Sequence, residues 1–149
     1  MEEAVMRVLM RHDGSMTKAL AALFDCEVKV SVLSEVTGDD VLVRHSVLSA
    51  NDHKLLYAVS EWKLDTYDHY MKQTPHKAIG EVLSGLRVEQ FREMIHQEQS
   101  VVQATIYETL GIPEAPLYWR RYKIFSNGLE LCQVTEYFSS SLLNPLIRA

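Results

Sequence analysis

The chain is short of cysteine. Cys26 and Cys132 are its only two among 149 residues, with no CxxC pair and no histidine at ligand spacing from either. That excludes a disulfide framework and a thiolate metal knuckle, and both thiols read as free and buried among apolar neighbours. Basic charge is scarce as well: 15 Lys and Arg stand against 20 Asp and Glu, net −5, and no basic block exceeds two adjacent residues. A nucleic-acid surface is therefore not indicated. The overall field repels anions, so an anionic ligand needs a local arginine site. No apolar run approaches the ~20 residues of a membrane span. The start, MEEAVMRVLMRHDG, lacks the positive head and apolar stretch of a secretion signal. On these grounds the chain reads as cytoplasmic. The histidines are scattered, with no HxxxH or HExxH, and there is no glycine-rich phosphate loop or GxSxG elbow, so neither a metal nor a nucleotide cofactor is signalled. Asp65, Asp68 and His69 lie close together, but on a helix only Asp65 with one of the others shares a face, too few ligands for a closed metal site. They read as a solvated helix start, where acids are favoured.

What is present is ordinary in bulk and informative in pattern. An apolar fraction of 47% and a charged fraction of 23% suit a globular protein, and the length suits one domain over residues 1–149. A domain of this size buries roughly 70% of the surface its unfolded chain exposes, enough to enclose a ligand cavity. Helical spacing marks Met1–Met10 and, after Asp13-Gly14 and a Ser15 cap, Met16–Phe24. Alternation predicts strands at Glu27–Leu33, Val41–Leu48 and Lys54–Leu64, with a loop at Thr37–Asp40 and a hairpin connection at Ser49–His53. A helical region follows over Thr66–Leu83, interrupted at Pro75 and ended near Gly85. Leu86–His96 fits either a strand or a helical stripe. Gln99–Leu110 reads as a helix stopped by Gly111 and Pro113. The stretch RRYKIFSNGLELCQVTEYFSSS, Arg120–Ser141, reads as two strands around a Ser126-Asn127-Gly128 turn, and Asn144-Pro145 marks a short tail. Helices followed by hairpin-linked strands indicate an α+β fold with a largely antiparallel sheet.

Two polar residues sit oddly in apolar strands. Glu136 lies in LCQVTEYF, where alternation allows it to face solvent, and burying it is costly unless it is paired. Arg44 lies in VLVRHSVL and shares a face with Leu42, Ser46 and Leu48, while His45 shares the other with Val43 and Val47. One of these polar residues must point inward, or the strand has two half-wet faces. A buried arginine needs a carboxylate for its planar fork, which Glu136 or a ligand can supply.

Four segments in order, DGSMTKAL (Asp13–Leu20), VLVRHSVL, AIGEVL (Ala78–Leu83) and RRYKIFSNG…QVTEYF, resemble segments of bacterial and archaeal chorismate lyases. The resemblance implies one α+β domain, a six-stranded antiparallel sheet with helices covering an internal cavity, and Val88–His96 as a strand. It implies a cofactor-independent lyase that converts chorismate to 4-hydroxybenzoate and pyruvate. It places the family's ligand-contacting arginine on Arg44, its glutamate on Glu136, a lid methionine on Met16 and a lid aliphatic residue on Ile79, ahead of Gly80. Arg44 would then hold a carboxylate through two parallel hydrogen bonds. Glu136, its pKa raised by desolvation, would handle the ring hydroxyl and proton. The implied partner is a small-molecule substrate, chorismate or a related aromatic acid, with no nucleic acid, and the chain acts as a monomer or weak dimer. Two departures stand out. YAVSEW carries Ser60 where some members have a second arginine, and NGLEL lacks the usual proline after the turn glycine. Arg120 or Arg121 could supply the second carboxylate's partner in place of that second arginine, though both read first as surface arginines. The same fold serves effector-binding domains of certain transcription regulators, so non-catalytic binding of an aromatic acid is the alternative.

Overall fold

The computed structural model describes residues 2–72, 77–87 and 89–143. Helices α1 (Glu2–Arg11) and α2 (Met16–Phe24) lead into β1 (Lys29–Gly38), β2 (Val41–Ala50) and β3 (His53–Lys63). Then come α3 (Leu64–Tyr70), α4 (Ile79–Gly85), β4 (Phe91–Ser100), α5 (Ala104–Leu110), β5 (Leu117–Ser126) and β6 (Leu129–Phe138), closed by a 3-10 turn at Ser140–Leu143. The six strands form one sheet in the order β1-β2-β3-β6-β5-β4, with every neighbouring pair antiparallel. This is the α+β architecture expected.

Three hairpins build most of that sheet, each on a two-residue turn with both residues at positive φ: Asp39-Asp40, Asn51-Asp52 and Asn127-Gly128. Such turns match the twist of the flanking strands, and Asn, Asp and Gly tolerate the left-handed region best. The tight turns lengthen the strands beyond the expected boundaries. β1 takes in Glu35 to Gly38, so the expected Thr37–Asp40 loop shrinks to two residues, and the Ser49–His53 connection shrinks to Asn51-Asp52. Leu64 opens α3 instead of closing β3, and Gln99 and Ser100 end β4 instead of starting a helix. The ambiguous segment is a strand, running Phe91–Ser100; Val88 lies outside the described residues, as do Pro75 and Asn144-Pro145.

Ser15 caps α2, its side chain accepting from the Lys18 N–H, which satisfies one of the helix's free donors. The apolar stripe of α1 and α2 (Met6, Leu9, Leu20, Phe24) packs with Leu48, Leu56 and Phe138 of the sheet. On the same face, α3 and α4 pack Tyr67, Met71, Val82 and Leu83 against Leu42, Trp62 and Ile124. On the other face α5 packs Ile106, Tyr107 and Leu110 on Val47, Tyr57 and Tyr137. Each fully buried large side chain contributes about 1.5–3 kcal/mol. The edge strands β1 and β4 are mostly exposed and each carries a register shift, at Val32/Ser34 and Met94/His96, which twists an unpaired edge away from neighbours. The helices α1 to α4 thus roof one face of the sheet, and the cavity lies under that roof.

Candidate functional site

Register decides which side chains meet beneath the helices. Residues directly opposite across strands share a face, and neighbouring strands lie about 4.7–4.9 Å apart. Arg44 stands opposite Ser60, and Ser60 opposite Val134. One row along, Ser46 faces Ala58, Ala58 faces Glu136, and Glu136 faces Arg120. All of these look toward α1 to α4. Arg44 is therefore inward with Leu42, Ser46 and Leu48, and His45 is on the α5 side, where its Nδ1 lies 2.7 Å from the Tyr57 hydroxyl.

Glu136 is buried, only 4% exposed, so the solvent-facing alternative is set aside. It does not pair with Arg44, because β3 separates their strands. Its partner is Arg120 on the adjacent strand: Nε donates to Oε1 at 2.7 Å, and the Tyr122 hydroxyl donates to Oε2 at 3.0 Å. Arg120 is 0% exposed, which corrects the expectation of a surface arginine. Its Nη1 donates to the carbonyl oxygens of Met10 and His12, tying the end of α1 to the site. The hairpin itself explains the mistake. Regular pairing from a two-residue turn sets Arg120 opposite Thr135, on the α5 side. A bulge between Ile124 and Phe125, with Leu131 the extra residue on β6, shifts the register by one and puts Arg120 opposite Glu136. Arg121 keeps to the other face, donating to Thr135 Oγ1 at 3.1 Å and lying over Trp119.

Glu136 thus pairs with an arginine, but with Arg120 and not with Arg44. A carboxylate offers about four acceptor positions; Arg120 and Tyr122 use two, leaving room to accept from a ligand hydroxyl. Burial and then the Glu136 charge push the Tyr122 hydroxyl well above its ordinary pKa, so it stays a donor. The Arg120 and Arg92 guanidinium carbons lie 4.9 Å and 5.6 Å from the centre of its ring, within cation–π range.

Arg44 is 2% exposed. Its Nη2 donates to the Lys77 carbonyl at 2.6 Å, just before α4. Nε and Nη1 are buried and have no partner among the described residues. Burial lowers its pKa, opposed by the nearby Tyr67 and Glu35, which are joined to each other by a hydrogen bond from the Tyr67 hydroxyl. Ser60 accepts from Trp62 Nε1 at 3.0 Å and offers no charge.

These groups line a cavity of about 50 Å³ whose walls include Met16, Arg44, Ser60, Ile79, Arg92 and Glu136. All four residues expected at the site (Met16, Arg44, Ile79 and Glu136) are thus brought together. Met16 comes from the first turn of α2 and Ile79 from the first of α4. The cavity is smaller than the ~300 Å³ or more typical of small-molecule pockets. A larger groove of about 430 Å³ between α1 and β4 opens to solvent and holds none of these residues. Arg92 and Tyr122 were not expected here, and Arg120 was expected only as an alternative holder of a second carboxylate, not as the partner of Glu136. Two of them lay in the recognised hairpin, hidden by the bulge, and Arg92 lay in the segment that periodicity left ambiguous. Among the described residues no three His, Cys, Asp or Glu side chains form a metal cluster, and Asp65, Asp68 and His69 are exposed on α3. Cys132 is buried and Cys26 only partly so. No described helix is long and apolar enough to cross a membrane.

The fold is shared with several solved structures. The effector domain of PhnF from Mycobacterium smegmatis aligns with a TM-score of 0.68 at 13% identity, covering 86% of this chain and 90% of that one. Gene product SA0254 from Staphylococcus aureus gives 0.66 at 11%, covering 85% and 88%. The possible transcriptional regulator YydK from Bacillus subtilis gives 0.65 at 13%, covering 77% of this chain but only 59% of that one. At such identities the likeness is one of fold. No curated protein gives a significant sequence match. Residues 10–146 match the family described as chorismate pyruvate-lyase Rv2949c-like. Since that match spans most of the sequence, the chain belongs to the Rv2949c-like chorismate pyruvate-lyase family.

Proposed function

We propose that residues 1–149 form one chorismate lyase-like domain that converts chorismate to 4-hydroxybenzoate and pyruvate in the closed cavity, without a cofactor, as a cytoplasmic monomer or weak dimer. The observation that carries this reading is the buried Arg44 fork, with two donors that have no partner among the described residues, beside the same cavity as the acceptor oxygens of Glu136. Unmet buried donors on a cation are costly, and a planar carboxylate satisfies two of them at once.

In this reading Arg44 holds the ring carboxylate and Glu136 accepts from the ring hydroxyl at the other end. The carbon–oxygen bond to the enolpyruvyl group breaks, a ring proton leaves, and the ring becomes aromatic. The released enolpyruvate takes up a proton to become pyruvate. Glu136, on the cavity wall, takes the ring proton in this reading, and Arg120 with Tyr122 positions it. Met16 and Ile79 supply apolar walls that exclude water when α2 and α4 close.

A second reading, a non-catalytic domain that senses an aromatic acid, is favoured by Ser60, which leaves one family arginine position uncharged, and by the fold shared with the PhnF effector domain. Thermal shift with 4-hydroxybenzoate tests the site common to both, since a ligand that binds only the folded state raises its stability. The expected result is a rise for wild type and none for Arg44→Ala. An equal rise in both proteins would remove Arg44 from the site. Turnover of chorismate then separates the two readings.

A further inference from the structure

Arg44 is not the only arginine on the cavity wall. Arg92 reaches it from β4, the opposite side of the sheet. Four strand steps separate β2 from β4, roughly 19 Å of backbone on a flat sheet. The two guanidinium groups therefore approach one small cavity from opposite sides. Arg92 stands opposite Ile124, on the inward face, and its guanidinium lies over the Tyr122 ring beside Glu136.

Its bonding is incomplete. Nη1 and Nη2 reach the Asp13 carbonyl and Gln90 Oε1 only at 3.3 Å each, and Nε is buried with no partner among the described residues. Among the described residues Glu136 is the one carboxylate lining this cavity, and its charge is already paired with Arg120. Ser60, between the two sides, carries no charge. A single carboxylate on Arg44 would leave Arg92 unsatisfied, whereas a second anionic group on the same ligand would complete it.

We propose that Arg92 is the second anion anchor of this cavity, holding the second carboxylate of a ring acid whose first lies on Arg44. This rests on the proposed reading of the cavity as a carboxylate site and adds the residue that holds the second carboxylate. Arg92 acts on specificity: it separates a dianionic ligand from a ring acid with one carboxylate, such as 4-hydroxybenzoate.

Isothermal titration of wild type, Arg92→Gln, Arg92→Lys and Arg44→Ala with two unreactive probes tests it. The probes are 4-hydroxybenzoate, with one carboxylate, and benzene-1,3-dicarboxylate, with two. Wild type should bind the dicarboxylate about tenfold or more tighter, since one charge-assisted hydrogen bond is worth at least that factor. Arg92→Gln should lose this preference while holding 4-hydroxybenzoate within about threefold, and Arg92→Lys, which keeps the charge, should retain part of it. Arg44→Ala should lose both probes. Equal weakening of both probes by Arg92→Gln would overturn the proposal, assigning Arg92 to support of Tyr122 and Asp13. So would a wild type that binds 4-hydroxybenzoate through Arg44 with no preference for the dicarboxylate, though the carboxylate site itself would stand. Wild type binding neither probe would remove both.

Discussion

Replacing Arg120 with methionine tests whether the buried ion pair organises the site. The change keeps most of the side-chain stem but leaves Glu136 buried beside apolar residues with only the Tyr122 hydroxyl to answer its charge. Removing one partner of a buried pair costs about 3–5 kcal/mol. The carbonyl oxygens of Met10 and His12 also lose their Arg120 donor, at about 1 kcal/mol for a typical bond. A loss of about 4–6 kcal/mol is therefore expected, which for a chain of this size lowers Tm by about 8–24 °C. The assay is urea unfolding followed by tyrosine and tryptophan fluorescence, with equal m-values required before stabilities are compared. The double variant Arg120→Met, Glu136→Gln removes the stranded charge and should return to within about 2 kcal/mol of wild type, because exchanging a buried pair for neutral groups is often close to neutral. A single variant that loses less than about 1 kcal/mol, the level of an exposed pair, would refute the reasoning. So would a double variant no better than the single.

Gly128→Ala places a Cβ at φ +78 and should cost about 1–2 kcal/mol in urea unfolding with no change in the far-ultraviolet spectrum; a neutral result would contradict the turn geometry. Burial and then the bond to Glu35 push the Tyr67 hydroxyl up from 10.0 to about 12. A raised value in the folded state means that its stabilisation is full below pH 10 and disappears as pH rises toward 12. Stability measured from pH 8 to 12 should accordingly fall less steeply for Tyr67→Phe than for wild type, and parallel curves would remove Tyr67 as a source of the loss. Burial raises the Cys132 thiol far above its ordinary range, so iodoacetamide should label Cys26 alone in the native protein and both thiols in denaturant; native labelling of Cys132 would count against its buried position.

The strands were legible where alternation and turn residues coincide. EVKVSVL, VLVRHSVL and the Arg120–Phe138 hairpin declare themselves through β-branched and aromatic residues bounded by Asp, Asn and Gly. The ends were less legible, because a two-residue turn of the Asp39-Asp40 kind looks the same in sequence as a longer loop. Alternation did not choose between Arg44, beside Leu42 and Leu48, and His45, beside Val43 and Val47, because both faces of that strand are apolar. Nor did it show the partner of Glu136. A single extra residue, Leu131, inverts the facing of everything beyond it in β6 relative to β5, and no local composition marks that bulge. Arg92 was hidden for a different reason: FREMIHQEQS is an exposed edge strand, and an edge with both faces polar carries neither period cleanly. The placing of Met16 and Ile79 at the cavity came from family resemblance alone, since their helices show only that they are apolar.

The most direct test of the central claim is to incubate the purified chain with chorismate and measure pyruvate and 4-hydroxybenzoate together. The account predicts equal release of the two, abolished in Glu136→Ala and reduced by about a hundredfold or more in Arg44→Ala, the loss expected for two charge-assisted hydrogen bonds. Binding of 4-hydroxybenzoate with no pyruvate above the background decay of chorismate would contradict it and leave a sensor in place of an enzyme.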